Sequence, residues 1–251
     1  MVGFRHREID LGTAERRERE KAELRQKILE AARDLFMDDG AEAVTMRKIA
    51  ERIEYSPTAI YAHFPDKEAL LLALCEHDFT AMLSEGAQLF NIEDPIERIR
   101  QSAQFYVEFA LRRPHQYEFM FMTGGLDLVV PSEAAILVYR TAREAVAEGI
   151  AAGRFRPEWD DPCAILYALW AALHGVAALE IVGRYAMMRT HPELHERGDD
   201  LSAPHIARTA VNGLLRGFLR DEYGAALLRP SAGASTKRSR QRRTNQRKKA
   251  S

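Results

Sequence analysis

The chain has 251 residues, 46% of them hydrophobic, and a formal net charge of −1 at pH 7. This content is enough to bury a sizeable core in one large domain or two. We find no apolar run of the ~18–20 residues that a membrane-spanning helix needs and no apolar segment of the signal-peptide type in the first 20 residues. Cys75 and Cys163 stand far apart without the spacing of a metal site, as is typical of a reducing compartment. We therefore expect a cytoplasmic protein with no membrane partner.

The charges are unevenly distributed along the chain. Residues 229–251 carry nine basic and no acidic residues, whereas residues 1–228 carry 27 basic and 37 acidic residues. This composition predicts a disordered basic tail over 229–251. Such a tail either adds sequence-independent affinity for DNA or only improves solubility, and the sequence leaves both interpretations open.

Residues 1–20 are charged with nearly equal numbers of both signs. We predict a mobile N-terminal arm here, with a solvated extension of the first helix as the alternative. From residue 21, an apolar stripe that includes Leu24, Ile28 and Leu35 predicts a helix that ends at Gly40.

The segment from Thr45 to Lys67 predicts two short helices joined by a tight turn. Thr45 is a suitable N-cap for the first, and Ser56 followed by Pro57 suits the start of the second. Pro65 ends the second helix. We expect a three-helix unit built around the apolar residues Leu35, Phe36, Ile49, Ile53, Ile60 and Phe64.

The run TMRKIAERIEYSPTAIYAHFPDKEALL resembles the DNA-binding signature of the tetracycline-repressor (TetR) family of bacterial transcription regulators. The resemblance covers about residues 21–75. It implies an all-α protein with an N-terminal helix-turn-helix domain over 21–67 and a C-terminal helical bundle over 68–228 for ligand binding and dimerisation. The family usually has Gly in the turn, where this chain has Glu54. Because a left-handed residue other than Gly costs about 1–2 kcal/mol, we expect the turn to be built differently here.

The second short helix is the expected recognition helix, since an α-helix fits the major groove and its N-terminal residues reach base edges. Thr58 and Ala59 are then candidates for base contacts, and Arg47 for a bidentate contact with guanine. The resemblance implies that Tyr61, His63 and Lys67, together with Thr45, hold phosphates. Arg16, Arg17 and Arg19 of the arm are further candidates for the DNA backbone. The predicted DNA-binding set is Thr45, Arg47, Ser56, Pro57, Thr58, Ala59, Tyr61, His63 and Lys67.

Apolar residues at helical spacing predict six further helices, which makes about nine in all, with no strand signal. One of them is the short segment HQYEFMFMTGG. The other five are predicted over 66–89, 94–112, 131–153, 162–188 and 202–218. The fourth of these five is apolar almost all round, so we expect a homodimer through the last two helices, with one face of each against its own bundle and the other at the interface.

Aromatic and methionine side chains of the C-terminal region are either ordinary core residues or the lining of a ligand cavity, which the resemblance implies. The predicted ligand-binding set is Phe79, Phe105, Phe109, Tyr117, Met120, Trp170 and His174. The run Trp170, His174, Gly175 resembles a C-terminal subtype of the family. His174 is either a hydrogen-bonded core residue or a polar anchor for a mainly apolar ligand, and Gly175 and Gly183 are expected to permit close helix approach.

We expect no catalytic residue, no cofactor and no metal, because the sequence lacks a glycine-rich phosphate loop, G-x-S-x-G and H-E-x-x-H. His191 and His195 have helical metal spacing but stand in a polar, Pro-containing segment. The sequence thus predicts a homodimeric repressor that a small molecule releases from a palindromic operator. Two alternatives remain open: a helical enzyme or carrier with a vestigial helix-turn-helix, and a regulator controlled by a protein partner.

Overall fold

The computed structural model describes residues 4–40, 44–122, 132–191 and 200–227. This part of the chain contains eleven α-helices, a 3-10 helix at Ala87–Asn91 and no strand, which confirms the all-α prediction. The α-helices are α1 (Phe4–Asp39), α2 (Met46–Arg52), α3 (Pro57–Tyr61), α4 (Lys67–Glu85), α5 (Pro95–Arg112), α6 (Pro114–Phe121), α7 (Glu133–Ala151), α8 (Pro162–Ile181), α9 (Arg184–Thr190), α10 (Ala203–Phe218) and α11 (Asp221–Ala226).

The chain forms two compact units. The first comprises Met1–Ala87 and Arg112–Arg140, and the second comprises Gln88–Leu111 and the chain from Thr141 onwards. Within the first unit, α4 packs on both α1 and α6. The boundary that we predicted after residue 67 therefore falls inside a compact unit, because the helix that follows it packs on the N-terminal helices.

Helix α1 begins at Phe4 and not near residue 21. The described side chains from Gly12 to Glu20 are exposed, apart from a half-buried Thr13. The first helix therefore starts before residue 21, and its described side chains from residue 12 to residue 20 mostly face solvent. The role of the arm predicted over residues 1–20 stays a prediction.

The core of the first unit is apolar and continuous. It contains Ile28, Ala32, Leu35, Phe36, Ile49, Ile60, Phe64, Leu70, Leu74 and Phe119, among others. Every residue that we predicted for the three-helix core is buried except Ile53, which is half-buried against it. The rings of Phe36 in α1 and Phe119 in α6 meet edge to face with centroids 4.9 Å apart.

A buried polar cluster also joins three helices of the first unit. Asp78 of α4 is fully buried and pairs with the guanidinium of Arg33 in α1. Its Oδ1 also accepts a hydrogen bond from Nε2 of Gln116 in α6 at 3.1 Å, and Nδ1 of His77 lies 3.3 Å away. Its other oxygen, Oδ2, has no hydrogen-bond partner among the described residues. One turn earlier on α4, burial and the charge of Asp78 raise the pKa of the Cys75 thiol to about 11.

In the second unit, α8 packs on α10. Phe155 and Leu219 form an isolated antiparallel bridge, and the Arg156 amide donates to the Phe218 carbonyl at 2.9 Å. Gly149 of α7 is required by packing, because a Cβ there would lie 2.7 Å from the Phe155 ring.

The predicted helix over 162–188 is divided in two. Gly183 adopts φ +73°, which ends α8 and starts the separate α9. The structure also adds the short helix α11. These two differences explain why our count of about nine helices was too low.

Helix α8 is, by its length and composition, apolar enough to cross a membrane, with a mean hydropathy of 1.7. Our expectation that no segment reaches this length was therefore wrong. The same property is found in core helices of proteins that span no membrane, but only 28% of this stretch is buried within the chain. The described part of the chain therefore leaves some of the apolar surface of α8 exposed.

The turn between α2 and α3 is a Schellman motif with glutamate at its left-handed position. The Tyr55 amide donates to the Ala50 carbonyl at 2.9 Å, and the Glu54 amide donates to the Glu51 carbonyl at 3.4 Å. Glu54 has φ +59°. Our expectation of a differently built turn was therefore wrong: the chain keeps the left-handed turn, at the energetic cost that glycine would avoid.

We expect Asp78→Ala to lower the free energy of unfolding by about 3–5 kcal/mol, because it leaves the largely enclosed Arg33 without its counter-ion. Urea denaturation followed by circular dichroism measures the change. Glu68→Ala on the exposed side of α4 is the matched control and should cost less than about 1 kcal/mol. Replacing Arg33 and Asp78 together by Met and Leu should recover much of the loss. Equal effects of Asp78→Ala and Glu68→Ala would contradict the importance of the buried pair.

We expect Glu54→Gly to raise the free energy of unfolding by about 0.5–1 kcal/mol, since relief of the left-handed strain exceeds the extra entropy of glycine in the unfolded chain. For a chain of this size that corresponds to a rise in Tm of about 1–4 °C. Glu54→Ala keeps a Cβ at the same φ and serves as the control. A thermal melt in which the alanine variant gains as much as the glycine variant would show that strain is not the cause.

Candidate nucleic-acid interface

Both helices of the helix-turn-helix are capped as the sequence predicts. The Thr45 hydroxyl accepts a hydrogen bond from the Lys48 amide at 3.2 Å, and the Ser56 hydroxyl accepts one from the Ala59 amide at the same distance. Pro57 is the first residue of α3. Ser56 and Pro57 thus fix the start of α3, and Ile60 anchors the helix by burying its side chain completely.

The outer surface of α3 carries the predicted contact residues. Thr58 is exposed, Ala59 is half-buried, and Tyr61 is 54% exposed. His63 follows the end of α3, and Lys67 is the first residue of α4. The structure therefore presents these five side chains around one short helix whose opposite face is in the core.

Arg47 lies on α2 and not on the recognition helix. Its Nε donates to Oε1 of Glu51 at 2.9 Å, one turn further along α2. An exposed pair of this kind contributes about 0.3–0.5 kcal/mol. Arg47 can therefore exchange Glu51 for a guanine at small cost.

Sequence reasoning missed two cations and an aromatic residue near α3. The guanidinium carbon of Arg25 in α1 lies 4.6 Å from the centroid of the Phe64 ring. Phe64 is the residue that follows His63 in the chain. Burial lowers the pKa of His63, and the positive charges of Lys21 and Arg25 lower it further. Tyr55 is 44% exposed in the turn before α3. Helical spacing alone could have placed Lys21 and Arg25 one turn apart on α1, but it could not have placed Arg25 over the Phe64 ring.

The predicted ligand-binding residues are divided between the two units. Phe79, Tyr117 and Met120 belong to the first, where Phe79 and Tyr117 are buried. The ring centroid of Phe121 lies 5.4 Å from that of Phe79 and 5.0 Å from that of Tyr117. These aromatic residues therefore belong to the packed core of the first unit.

Phe105, Phe109, Trp170 and His174 belong to the second unit. The Trp170 Nε1–H donates to the Tyr106 hydroxyl at 3.0 Å, and Tyr106 Oη lies 3.4 Å from Nδ1 of His174. Because an indole can only donate, the tyrosine hydroxyl accepts from Trp170 and can donate its own proton to His174. Burial lowers the pKa of His174, which favours the neutral ring that this contact requires.

Within the described chain, neither Gly175 nor Gly183 is needed for the close helix approach that we predicted. A Cβ at Gly175 would meet no atom within 4 Å in the described chain, and the same holds for Gly183. Gly183 is instead required for the left-handed turn after α8. A separate groove of about 140 Å³ lies between α5 and α10, and its walls include Glu97, Arg100 and Asn212.

The pair His191 and His195, at which we expect no metal, lies mostly outside the described residues, because His195 and both neighbouring glutamates fall in 192–199. The described ranges contain no group of three or more potential metal ligands. The basic tail over 229–251 also lies outside the described residues.

Two family models match the chain in order. A model for bacterial regulatory proteins of the tetR family matches residues 28–74, and a model for a tetracyclin repressor-like C-terminal domain matches residues 99–201. The first match contains α2 and α3, together with the end of α1 before them and the beginning of α4 after them. The second begins in α5 and ends just before α10.

Curated relatives match a smaller part of the chain. The nucleoid occlusion factor SlmA of Vibrio vulnificus (strain YJ016) is 35% identical over 96 residues, which cover 38% of this chain and 49% of SlmA. The HTH-type transcriptional repressor AcnR of Corynebacterium diphtheriae is 47% identical over 64 residues, which cover 26% of this chain and 34% of AcnR. The chain therefore spans about half or less of the length of these relatives.

Solved structures share the fold over a greater length. A tetR family transcription regulator from Shewanella sp. PV-4 aligns with a TM-score of 0.60 at 16% identity, covering 78% of this chain and 98% of that one. The subtype suggested by Trp170, His174 and Gly175 stays a prediction. The helix-turn-helix, the two family models and the shared fold agree, and the chain belongs to the TetR family of bacterial transcription regulators.

Proposed function

We propose that this protein is a homodimeric, ligand-responsive repressor that binds a palindromic DNA operator through α3. The observation that carries this proposal is a recognition helix fixed on its inner face by Ile60 and capped by Ser56, with Thr58 and Tyr61 exposed on its outer face. A helix held in this way fits the major groove, where each base pair presents a distinct pattern of donors and acceptors.

The side chains around α3 have distinct proposed roles. Thr58 can donate to a base edge, and Ala59 can contact a thymine methyl group. Tyr61, His63 and Lys67 suit phosphate oxygens, which fix register without reading sequence. Arg47 on α2 would leave Glu51 and bind guanine.

Dimerisation through α8 and α10 is supported by the apolar surface that remains on α8. Tyr167, Leu179 and Val182 are 56%, 41% and 56% exposed, and they recur with Ala171 along one side of the helix. Gly213 and Gly217 on α10 are also exposed and leave room for close approach. Two such helices from each protomer would form a four-helix interface whose two-fold axis places two recognition helices on one operator.

The effector proposal rests on the second unit. Phe105, Trp170 and His174 are half-buried there, and the Tyr106 hydroxyl adds a polar atom among apolar neighbours. This combination suits a mainly apolar molecule with one polar group. A ligand that prefers one conformation by about 1–3 kcal/mol would change operator affinity about 5- to 150-fold.

A second function is favoured by the match to SlmA, whose name describes a nucleoid occlusion factor. By that analogy the protein would bind DNA but act through a protein partner. A reporter placed behind the bound site separates the two functions: repression that a small molecule relieves supports the first, whereas site-specific binding without repression supports the second. Turnover of a bound compound would instead select the enzyme alternative.

We expect Arg47→Ala to weaken binding to the best operator by about 1–3 kcal/mol and to relax the preference at one base pair. Lys67→Ala should weaken binding to all sequences equally and reduce the salt dependence. Selection from a random duplex library, followed by affinity measurement at several salt concentrations, tests both. Unchanged base preference in Arg47→Ala would remove Arg47 from the readout.

We expect Leu179→Glu to weaken the dimer by at least about 2 kcal/mol, or roughly 30-fold in Kd, since it would bury a carboxylate in the interface. Sedimentation over a concentration series measures this. Ile136→Glu replaces an equally exposed apolar residue on α7, which is 47% exposed, and should leave the dimer intact. A wild-type protein that is monomeric at micromolar concentration would contradict the interface.

A further inference from the structure

The buried face of α1 continues beyond the core as a basic stripe. Ile28 and Leu35 are buried on this face, and Leu24 is half-buried where the core ends. At 3.6 residues per turn the next positions on the same side are Lys21 and then Arg17, both exposed. The face that packs on the helix-turn-helix core therefore becomes cationic where α1 extends past it.

The stripe begins beside the recognition helix. Arg25, one turn from Lys21, lies over the Phe64 ring at 4.6 Å, and Phe64 directly follows His63. With a rise of about 1.5 Å per residue, Lys21 and Arg17 lie about 6 Å and 12 Å further along α1 than Arg25. The influence of Lys21 and Arg25 on the pKa of His63 agrees with this placement.

The cations of the stripe differ in their ion pairing from Arg16, which lies on another face of the same helix. Arg16, about 100° around the helix from Arg17, pairs with Glu20 at 3.1 Å. Arg17 and Lys21 make no ion pair with any residue in the described part of the chain. Their charge is therefore available to a partner.

We infer that Arg17 and Lys21, with Arg25 and His63, form a surface on α1 that binds the DNA phosphate backbone beside the recognition helix. This inference rests on the proposed DNA-binding function and deepens it. Cations repeated at about 6 Å along a rod suit a regularly charged polyanion better than a single small anion. The inference also corrects the sequence-based candidates, since it keeps Arg17, adds Lys21 and Arg25, and excludes Arg16 and Arg19.

The test compares two double variants of the full chain with the same change of charge. One is Arg17→Gln with Lys21→Gln in the stripe, and the other is Arg16→Gln with Arg19→Gln on the other faces of α1. Glutamine keeps the helix propensity of arginine and lysine, and circular dichroism checks that α1 stays folded. The probes are a random-sequence duplex of about 30 base pairs and an operator selected by the wild-type protein.

Each lost phosphate contact should lower the slope of log K against log salt concentration by about 0.9. For each protomer that contacts the duplex, the stripe variant should therefore lose about 1.8 from the slope and on the order of 50-fold in affinity at about 0.1 M salt, equally on both duplexes. The control variant should keep the wild-type slope.

Equal slopes in the two variants would overturn the inference. A stripe that instead serves an acidic protein surface would also leave the slope unchanged, so that result rejects DNA as its partner. If the wild-type protein fails to prefer any operator, the proposed function fails, whereas the slope difference on the random duplex still decides the role of the stripe.

Discussion

The first unit depends on one buried ion pair, between Arg33 of α1 and Asp78 of α4. A carboxylate without solvent exposure must keep its partner, since the cost of an unpaired buried charge is several kcal/mol. Gln116 extends the pair to α6. Three helices are therefore held in one register, and a displacement of α6 or α4 either moves α1 with it or breaks the cluster. Any signal that reaches the recognition helix through α4 is subject to this constraint.

Local chemistry made much of the interface predictable. The helix starts were predicted from Thr45, Ser56 and Pro57, and the core was predicted from the spacing of apolar residues such as Ile49 and Ile60. The conformation of the turn at Glu54 could not be predicted from local chemistry. Its strain was foreseen, but the conclusion that the chain would avoid it was wrong, because packing of α2 and α3 outweighs about 1–2 kcal/mol at one residue.

What the sequence could not supply depends on contacts between distant residues. Nothing near Asp78 marks it as buried, since a lone acid on a helix is usually solvated. The position of Arg25 over the Phe64 ring requires the packing of α1 against the helix-turn-helix. The aromatic residues predicted to bind a ligand all occur at helical spacing among apolar neighbours in the sequence. In the structure, however, Phe79 and Tyr117 are buried in a core, whereas Phe105 and Trp170 are only half-buried. Periodicity assigns a face but not the neighbour that covers it.

The two cysteines differ sharply in chemical character. With its pKa raised to about 11, Cys75 has only about one thiolate in a thousand molecules at pH 8, and its sulfur is buried. Cys163 is partly exposed, with its sulfur 3.3 Å from Nε of Arg143. An alkylating reagent should therefore modify Cys163 first, and the later reaction of Cys75 should report how often α4 separates from its neighbours. Cys75 can therefore serve as a probe of local opening around α4, one turn from the Arg33–Asp78 ion pair that stabilises the closed state.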